Sequence, residues 1–220
     1  MGPLFSNIVL IDEINRAPAK TQSALFESME EKQITFDGIT YPLAFPFMVI
    51  ATQNPVEHEG TYRLPEAQLD RFMMKIILDY PSFDQEVQIL NRYKGQVGKI
   101  NLDDIQAILN PDNIRQLQHS AVNIRVEEHM LNYITSLVHE TRQNAKLYLG
   151  ASPRASLALL KASKIVAMMS GRDFVIPDDI QYVAPDILNH RIILSPEAEM
   201  SRETTHTVIA EIIKKVEVPR

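Results

Sequence analysis

Residues 8–13 read Ile-Val-Leu-Ile-Asp-Glu, so that four aliphatic residues run directly into two carboxylates. A continuous apolar run of this length is typical of a parallel β-strand that is covered on both faces. In open α/β sheets, ligands bind outside the carboxyl ends of such strands. We therefore expect Asp12 and Glu13 at a ligand-binding edge, although a strand that merely ends in an acidic turn would have the same sequence.

A second apolar strand is predicted at Phe45–Thr52, and it is followed by Gln53 and Asn54. Two central strands therefore end in polar groups. Asn54 precedes a proline, where an asparagine is a common turn residue without any further role. Adjacent carboxylates such as Asp12 and Glu13 suit phosphoryl transfer, because one can hold Mg²⁺ through its water shell while the other polarises an attacking water.

Composition limits the class of protein. The 220 residues suffice for one large or two small domains, and 45% hydrophobic with 23% charged residues is usual for globular proteins. No apolar run approaches the roughly 20 residues of a membrane helix. The N-terminus lacks the basic and apolar segments of a signal peptide, which predicts a cytoplasmic location. With no cysteine and no HExxH-like pairing among six histidines, any metal is expected to be bound by oxygen.

Residues 18–31 are predicted to form a helix, which Pro18 is well placed to open. One face of this helix carries three apolar residues and one glutamine at helical spacing: Gln22, Leu25, Phe26 and Met29. Such a face is expected to pack on the sheet. Residues 33–43 alternate between apolar and polar types around an Asp-Gly pair, which predicts a β-hairpin. A loop at 57–65, a short helix at 65–72 and a third strand at 73–78 follow.

After Ser82 the pattern becomes helical, with no strand predicted. The predicted helices are 82–94, 101–109, 111–118, 126–145, 152–170, 177–184 and 196–215. The longest carries an apolar stripe of five residues: Val126, Met130, Ile134, Leu137 and Val138. The chain is therefore expected to divide near residue 80 into an α/β part, residues 1–80, and an all-helical part, residues 81–220.

Four motifs occur in a fixed order along the chain. Asp12-Glu13 follows an apolar strand, Asn54 follows a second strand, Leu69-Asp70-Arg71-Phe72 lies on a helix, and Ser152-Pro153-Arg154 opens a later helix. With these motifs the chain resembles AAA+ ATPases of the MoxR family, in which Asp12-Glu13 matches the Walker B motif. The resemblance implies an incomplete P-loop NTPase core with a parallel sheet through residue 80, and a helical lid domain after it.

The resemblance also implies roles for single residues. Asp12 would position Mg²⁺, Glu13 would orient the attacking water, and Asn54, at the sensor 1 position, would hold that water or the γ-phosphate of ATP. Arg71 matches the arginine finger, which reaches into the site of the neighbouring subunit and neutralises charge on the transferred phosphoryl group. An active form that uses Arg71 in this way must be oligomeric. Without the other motifs, Arg71 reads as a member of a solvated salt bridge.

Arg154 matches the sensor 2 position, and its local setting is unfavourable. With Ser152 as N-cap and Pro153 as the first helical residue, Arg154 lies in the first turn, where a cation opposes the helix dipole. A phosphate bound at this helix end would explain the placement. The alternative is an exposed arginine whose penalty is screened by solvent.

Two further features qualify the resemblance. The hairpin at 33–43 resembles the pre-sensor 1 insertion of related AAA+ proteins, which often faces a central pore, although its apolar residues could equally pack in the core. No GxxxxGK[ST] phosphate loop is found, and Gly95–Ile100 has the wrong glycine spacing for one. The chain therefore resembles the C-terminal portion of a longer protein. We expect it to hydrolyse ATP negligibly alone and to leave apolar sheet surface exposed.

The function implied by the resemblance is MgATP hydrolysis by a homo-oligomeric, typically hexameric ring that remodels partner proteins, including proteins with von Willebrand factor A domains. One alternative is a non-catalytic oligomerisation or adaptor module derived from an AAA+ protein. Another is a nucleic-acid motor. The formal net charge of −6 argues against the motor, because binding to nucleic-acid phosphates is driven mainly by Lys and Arg.

Overall fold

Two short parallel strands, β1 (Ile8–Ile11) and β4 (Met48–Ala51), form the sheet of the α/β region. The computed structural model describes residues 2–54, 64–94 and 105–219. In it Ile8 pairs with Met48, and the register continues to Ile11 opposite Ala51. The two predicted apolar strands are thus neighbours, and their carboxyl ends lie at one edge of the sheet.

Helix α1 (Ala19–Glu31) covers one face of this sheet. Gln22, Leu25 and Phe26 are buried on it, which confirms the predicted face. The prediction that β1 is covered on both faces is wrong for this chain. Val9 is buried, but 62% of Ile8 is exposed, because none of the described residues packs on the second face.

The predicted hairpin is present as β2 (Gln33–Phe36) and β3 (Ile39–Pro42). Its two turn residues, Asp37 and Gly38, both have positive φ angles, 50° and 75°, as a two-residue hairpin turn with the right twist requires. Phe36 and Ile39 form a cross-strand pair and are exposed, so these two residues do not pack in the core. Contact of the hairpin with a central pore stays a prediction.

The secondary structure after β4 differs from the prediction. Helix α2 is shorter than predicted, at Glu66–Leu69, and the third strand predicted at 73–78 is wrong. Residues 73–78 are exposed and form neither a strand nor a helix, since no described strand lies beside them to form a ladder. Most of the loop predicted at 57–65 lies outside the described residues.

The helical region contains seven helices among its described residues. They are α3 (Phe83–Tyr93), α4 (Pro111–Val122), α5 (Glu128–Gln143), α6 (Pro153–Met169), α7 (Pro177–Leu188), α8 (Pro196–Met200) and α9 (Thr205–Lys215). The single helix predicted at 196–215 is broken, because Arg202 has a left-handed φ of 57°. Of the helix predicted at 101–109, residues 101–104 lie outside the described part and 105–109 are not helical.

One small pair of strands lies within the helical region, which the helical periodicity did not predict. It joins β5 (Leu147–Leu149) and β6 (Ile193–Leu194) in antiparallel fashion. Strands of two or three residues are too short to show an alternating pattern in sequence. The α/β core followed by a mostly helical lid is nevertheless the architecture that was predicted.

Helices α5, α6, α7 and α9 enclose the larger hydrophobic core. The stripe predicted on α5 is confirmed, since Met130, Ile134, Leu137 and Val138 are buried and Val126 packs beside them. None of the described helices has the length and apolarity needed to cross a membrane.

Candidate functional site

Asp12 and Glu13 follow β1 and form what we term the acidic edge of the sheet. Thr52, the residue that follows β4, binds both of them. The Thr52 hydroxyl donates to Asp12 Oδ1 at 2.5 Å and accepts the backbone N–H of Glu13 at 2.9 Å. The Thr52 carbonyl accepts the N–H of Ile14 at 3.1 Å. Sequence reasoning missed Thr52, although a polar residue that ends the second apolar strand was the available signal. Asp12 and Glu13 are thus fixed to the neighbouring strand.

Glu13 has an unusual backbone conformation. Its φ and ψ angles are 52° and 54°, the left-handed region that residues other than glycine rarely adopt. Such a conformation costs roughly 1 kcal/mol or more and persists where the surroundings enforce it, often at functional sites. Here the bond to Thr52 enforces it, and Arg16 Nε pairs with Glu13 Oε2 at 2.9 Å. The backbone of Glu13 is therefore held in a constrained turn, and its carboxylate is paired with Arg16.

The acidic edge fits Mg²⁺ that arrives with a nucleotide. Mg²⁺ usually takes one or two carboxylates and completes its shell with water and phosphate oxygens. Asp12 is exposed and supplies such a carboxylate. Among the described residues, no group of three or more His, Cys, Asp or Glu side chains could hold a metal ion by itself. Asn54 is exposed three residues beyond β4, at the same edge as Asp12 and Glu13.

The two predicted functional arginines lie together elsewhere. Arg71 Nη1 and Arg154 Nη2 pair with the two carboxylate oxygens of Glu30, the latter at 2.6 Å. The three side chains line a groove of about 250 Å³, to which Lys161 also contributes. The side chains of Arg71 and Arg154 are 32% and 44% exposed, so an anion in the groove can reach them. Glu30 was not predicted as part of any site.

The setting of Arg154 is as the sequence predicted. Ser152 caps α6 by accepting the N–H of Arg154 at 3.1 Å, and Pro153 is the first helical residue. Negative charge near this helix end comes from Glu30 of α1, which pairs with Arg154, and from Asp70, which accepts the Ser152 hydroxyl. These carboxylates offset the unfavourable position of the arginine, so a bound phosphate is not required to explain it.

The arginine pair and the acidic edge lie at opposite ends of α1. Lys32, which follows α1, places its ammonium 5.3 Å from the centre of the Phe47 ring, and Phe47 directly precedes β4. The C-terminal end of α1 therefore lies beside the N-terminal edge of the parallel sheet. Glu30 is in the last turn of α1, whereas Asp12 is at the C-terminal edge of the sheet. A helix of this length spans about 20 Å.

A buried polar network joins the Arg71 segment to the helical region. Arg191 Nε donates to Asp70 Oδ1 at 2.9 Å, and His190 Nε2 lies 3.1 Å from the Phe72 carbonyl oxygen. Burial lowers the pKa of His190 to about 4, and the positive charge of Arg191 acts in the same direction. Burial also lowers the pKa of Arg191, against the effect of Asp70. Sequence reasoning missed this network because its members are far apart in the chain.

Family models match both parts of the chain. Residues 1–74 match the ATPase family associated with various cellular activities (AAA), and residues 139–212 match the AAA lid domain. The fold and the polar strand ends thus define a protein of the AAA class, with an α/β core followed by a helical lid.

Comparison with individual relatives indicates one family within the AAA class. The chain is 47% identical to YeaC of Bacillus subtilis over 99% of its own length and 67% of the length of YeaC. It is 41% identical to chaperone MoxR1 of Mycobacterium tuberculosis, over 100% of the chain and 59% of the relative. A crystallised protein of Cytophaga hutchinsonii superposes with a TM-score of 0.90 at 44% identity, over 100% of this chain and 68% of the other.

The chain belongs to the MoxR family of AAA+ ATPases. ATP hydrolysis is the reaction of this class, and chaperone function is associated with the family through MoxR1. Because the chain spans between 59% and 68% of the length of these relatives, the activity of the whole protein is a matter for proposal.

Proposed function

We propose that this chain forms the Walker B to lid portion of an ATPase that hydrolyses MgATP as a homo-oligomeric ring and remodels a partner protein. The observation that carries the proposal is the separation of Asp12 and Glu13 from Arg71 and Arg154 by the length of α1. One chain presents its acidic edge at one end of α1. At the other end it presents the groove lined by Arg71 and Arg154, which we term the cationic groove. A site that needs both is completed by two copies of the chain.

At the acidic edge, each residue has a distinct task. Asp12 would hold Mg²⁺, which when bound with ATP neutralises the charge of its phosphates. Glu13 would orient and polarise the attacking water. The Asn54 amide would hold that water, or the γ-phosphate, by hydrogen bonds without adding charge.

At the cationic groove, Arg71 and Arg154 supply positive charge to the nucleotide of the neighbouring copy. A planar guanidinium matches phosphate oxygens in a bidentate manner. The pairs with Glu30 are partly exposed and therefore weak, so a phosphate can replace the carboxylate at small cost. Residues 1–80 would form the part of the core after the phosphate loop, and residues 81–220 the lid.

Turnover requires a phosphate loop, which the 220 residues lack. The proposed test is ATP hydrolysis by the chain joined to an upstream segment that carries the GxxxxGK[ST] sequence, taken from its own gene or from YeaC. In that form Glu13→Gln should lower kcat by about 10²–10⁴-fold. Glu31→Gln, which removes an exposed carboxylate of α1, should leave kcat unchanged. The 220-residue chain alone should show no turnover that Glu13→Gln abolishes.

Two results would overturn the proposal. Absence of turnover in the extended chain would favour a non-catalytic oligomerisation or adaptor module. Salt-sensitive binding of single-stranded DNA would favour a nucleic-acid motor. Binding of proteins with von Willebrand factor A domains, pore contacts of the β2–β3 hairpin and a cytoplasmic location are further parts of the proposal.

A further inference from the structure

Arg191 is a buried cation that the proposed mechanism does not use. Only 3% of its side chain is exposed. Its guanidinium donates five hydrogen bonds: to Asp70 Oδ1 at 2.9 Å and to the carbonyl oxygens of Asp70 at 3.2 Å, Phe72 at 2.5 Å, Met73 at 3.1 Å and Ile187 at 2.5 Å. Arginine has five N–H donors, so this set of acceptors satisfies it completely.

Four of these five acceptors belong to Asp70–Met73, which we term the finger segment because it carries Arg71. Three further hydrogen bonds attach the finger segment, and Lys75 just after it, to the helical region. They are Ser152 Oγ to Asp70 Oδ2 at 2.7 Å, His190 Nε2 with the Phe72 carbonyl oxygen at 3.1 Å, and the Lys75 N–H to the Asp186 carbonyl oxygen at 2.9 Å. The finger segment follows α2 and keeps backbone hydrogen bonds to it, and the Arg71 side chain pairs with Glu30 of α1. Its carbonyl groups and the Asp70 carboxylate bind instead to residues at the start of α6 and just after α7.

The attachment reaches Arg154 as well. Ser152 donates its hydroxyl hydrogen to Asp70 and accepts the N–H of Arg154 with the same oxygen. The Asp70 carboxylate therefore bridges Arg191 and the cap of the helix that carries Arg154. Both functional arginines are mounted on one hydrogen-bonded unit, which also explains how they come to share Glu30.

We propose that Arg191 is a positioning residue that fixes the finger segment to the helical region. Arg71 and Arg154 then form a preset pair, and any movement of the helical region carries Arg71 with it. This inference deepens the proposed function, on which its kinetic consequence rests, while the attachment itself does not depend on ATP hydrolysis. Lysine at position 191 keeps the charge but has only three donors, and methionine has none.

Hydrogen exchange in the 220-residue chain tests the attachment. Arg191→Met should speed exchange of the Lys75 amide by about tenfold or more, with Arg191→Lys between it and the parent, while the buried amides of α6 stay protected. The matched control is Arg172→Met. Arg172 is partly buried, with 25% of its side chain exposed, and pairs with Asp179 at 2.6 Å and 2.8 Å entirely within the helical region. Unchanged exchange at Lys75 in Arg191→Met, or an equal effect of Arg172→Met, would overturn the proposal.

Kinetics of the chain joined to an upstream phosphate loop distinguish a loss of Arg71 positioning from a general loss of structure. Arg191→Met should lower kcat by about ten- to a hundredfold with KM within about twofold, because a displaced finger acts only on the transition state. In an Arg71→Ala background, the same change should have no further effect on kcat. Additive losses would contradict a role through Arg71. If the parent form shows no turnover, the proposed function fails, and the exchange experiment still decides whether Arg191 holds the segment.

Discussion

The helical region and the α/β region differ in how completely they bury their apolar residues. Among the described residues, the hydrophobic cluster of the helical region contains twenty-two buried apolar side chains, whereas the cluster of the α/β region contains four. Both regions contain amphipathic elements, but the sheet presents Leu10 and Ile50, paired across β1 and β4, with 68% and 44% of their surface exposed. The helical region closes its own core, and the sheet does not.

This difference shows where stability resides and where further contacts are needed. Packing against three helices stabilises a helix such as α6 without help from other surfaces. A two-stranded sheet covered on one face is marginal by itself. We therefore expect the helical region to unfold cooperatively and the α/β region to depend on additional contacts.

Removal of a core side chain should have the largest effect in the helical region. Leu159→Ala, at a fully buried position of α6, should lower the free energy of unfolding by about 3–5 kcal/mol in urea titrations. Leu25→Ala in the small cluster should cost less, about 2 kcal/mol, since its surroundings are less enclosed. Leu157→Ala, 56% exposed on the same helix as Leu159, is the control and should stay within about 0.5 kcal/mol. A larger loss for Leu25→Ala would reverse the contrast.

The contact between the two regions should weaken in acid through His190. Its pKa is lowered to about 4 by burial and by the charge of Arg191, with Lys75 acting in the same direction and Asp70 against it. In this pH range the unfolded chain therefore binds a proton at His190 that the folded chain does not bind. As a result, the free energy of unfolding falls as the pH drops from about 6.5 towards 4. The full loss is about 3 kcal/mol.

The predicted loss of stability in acid is checked by unfolding measurements at a series of pH values. His190→Gln should flatten the profile between pH 6.5 and 4, whereas His129→Gln, at an exposed position of α5, should leave it as in the parent. An unchanged slope in His190→Gln would show that other groups cause the acid sensitivity.

The Glu30 pairs should contribute little to stability and more to anion binding. Glu30→Gln should change the free energy of unfolding by about 0–1 kcal/mol, because the pairs are partly exposed. Calorimetric titration with inorganic pyrophosphate should show tighter binding, since the arginines no longer share a carboxylate. Glu31→Gln serves as the control for the lost charge. Weaker pyrophosphate binding in Glu30→Gln would remove the groove as an anion site.

Polar substitutions on the open face of the sheet should have the smallest effect on stability. Leu10→Thr and Ile50→Thr should each leave the free energy of unfolding within about 0.5 kcal/mol of the parent. The same substitutions should reduce self-association in sedimentation experiments, because they interrupt the exposed apolar face. Val9→Thr, on the covered face, should destabilise the α/β region. Destabilisation by Leu10→Thr would show that the second face is covered after all.

Local patterns predicted the elements that bury one face within the chain. The amphipathic spacing on α1 and α5, the Asp-Gly turn and the Ser-Pro start of α6 were correct because each depends on near neighbours in sequence. The predicted strand at 73–78 was wrong because a strand also requires a partner. An apolar run does not reveal whether that partner lies in the same chain.

The candidate site was predictable to a lesser degree. The sequence indicated Asp12 and Glu13 from strand ends, but not Thr52, which joins them through pairing of β1 with β4. It also gave no sign of Glu30 or Arg191, since their charged partners lie more than forty residues away in the chain. The catalytic and binding roles of Asp12, Glu13, Asn54, Arg71 and Arg154 stay predictions.

Mixing two impaired variants tests the central claim most directly, that the acidic edge of one copy and the cationic groove of the next form one site. In the chain extended by a phosphate loop, Glu13→Gln and Arg71→Ala should each keep only a small residual ATPase rate alone. Mixed in equal amounts and allowed to exchange subunits, they should recover about a quarter of the parent ATPase rate, because random assembly creates interfaces with an intact Glu13 facing an intact Arg71. No recovery, with mixed assemblies demonstrated by mass spectrometry, would contradict a site shared between copies.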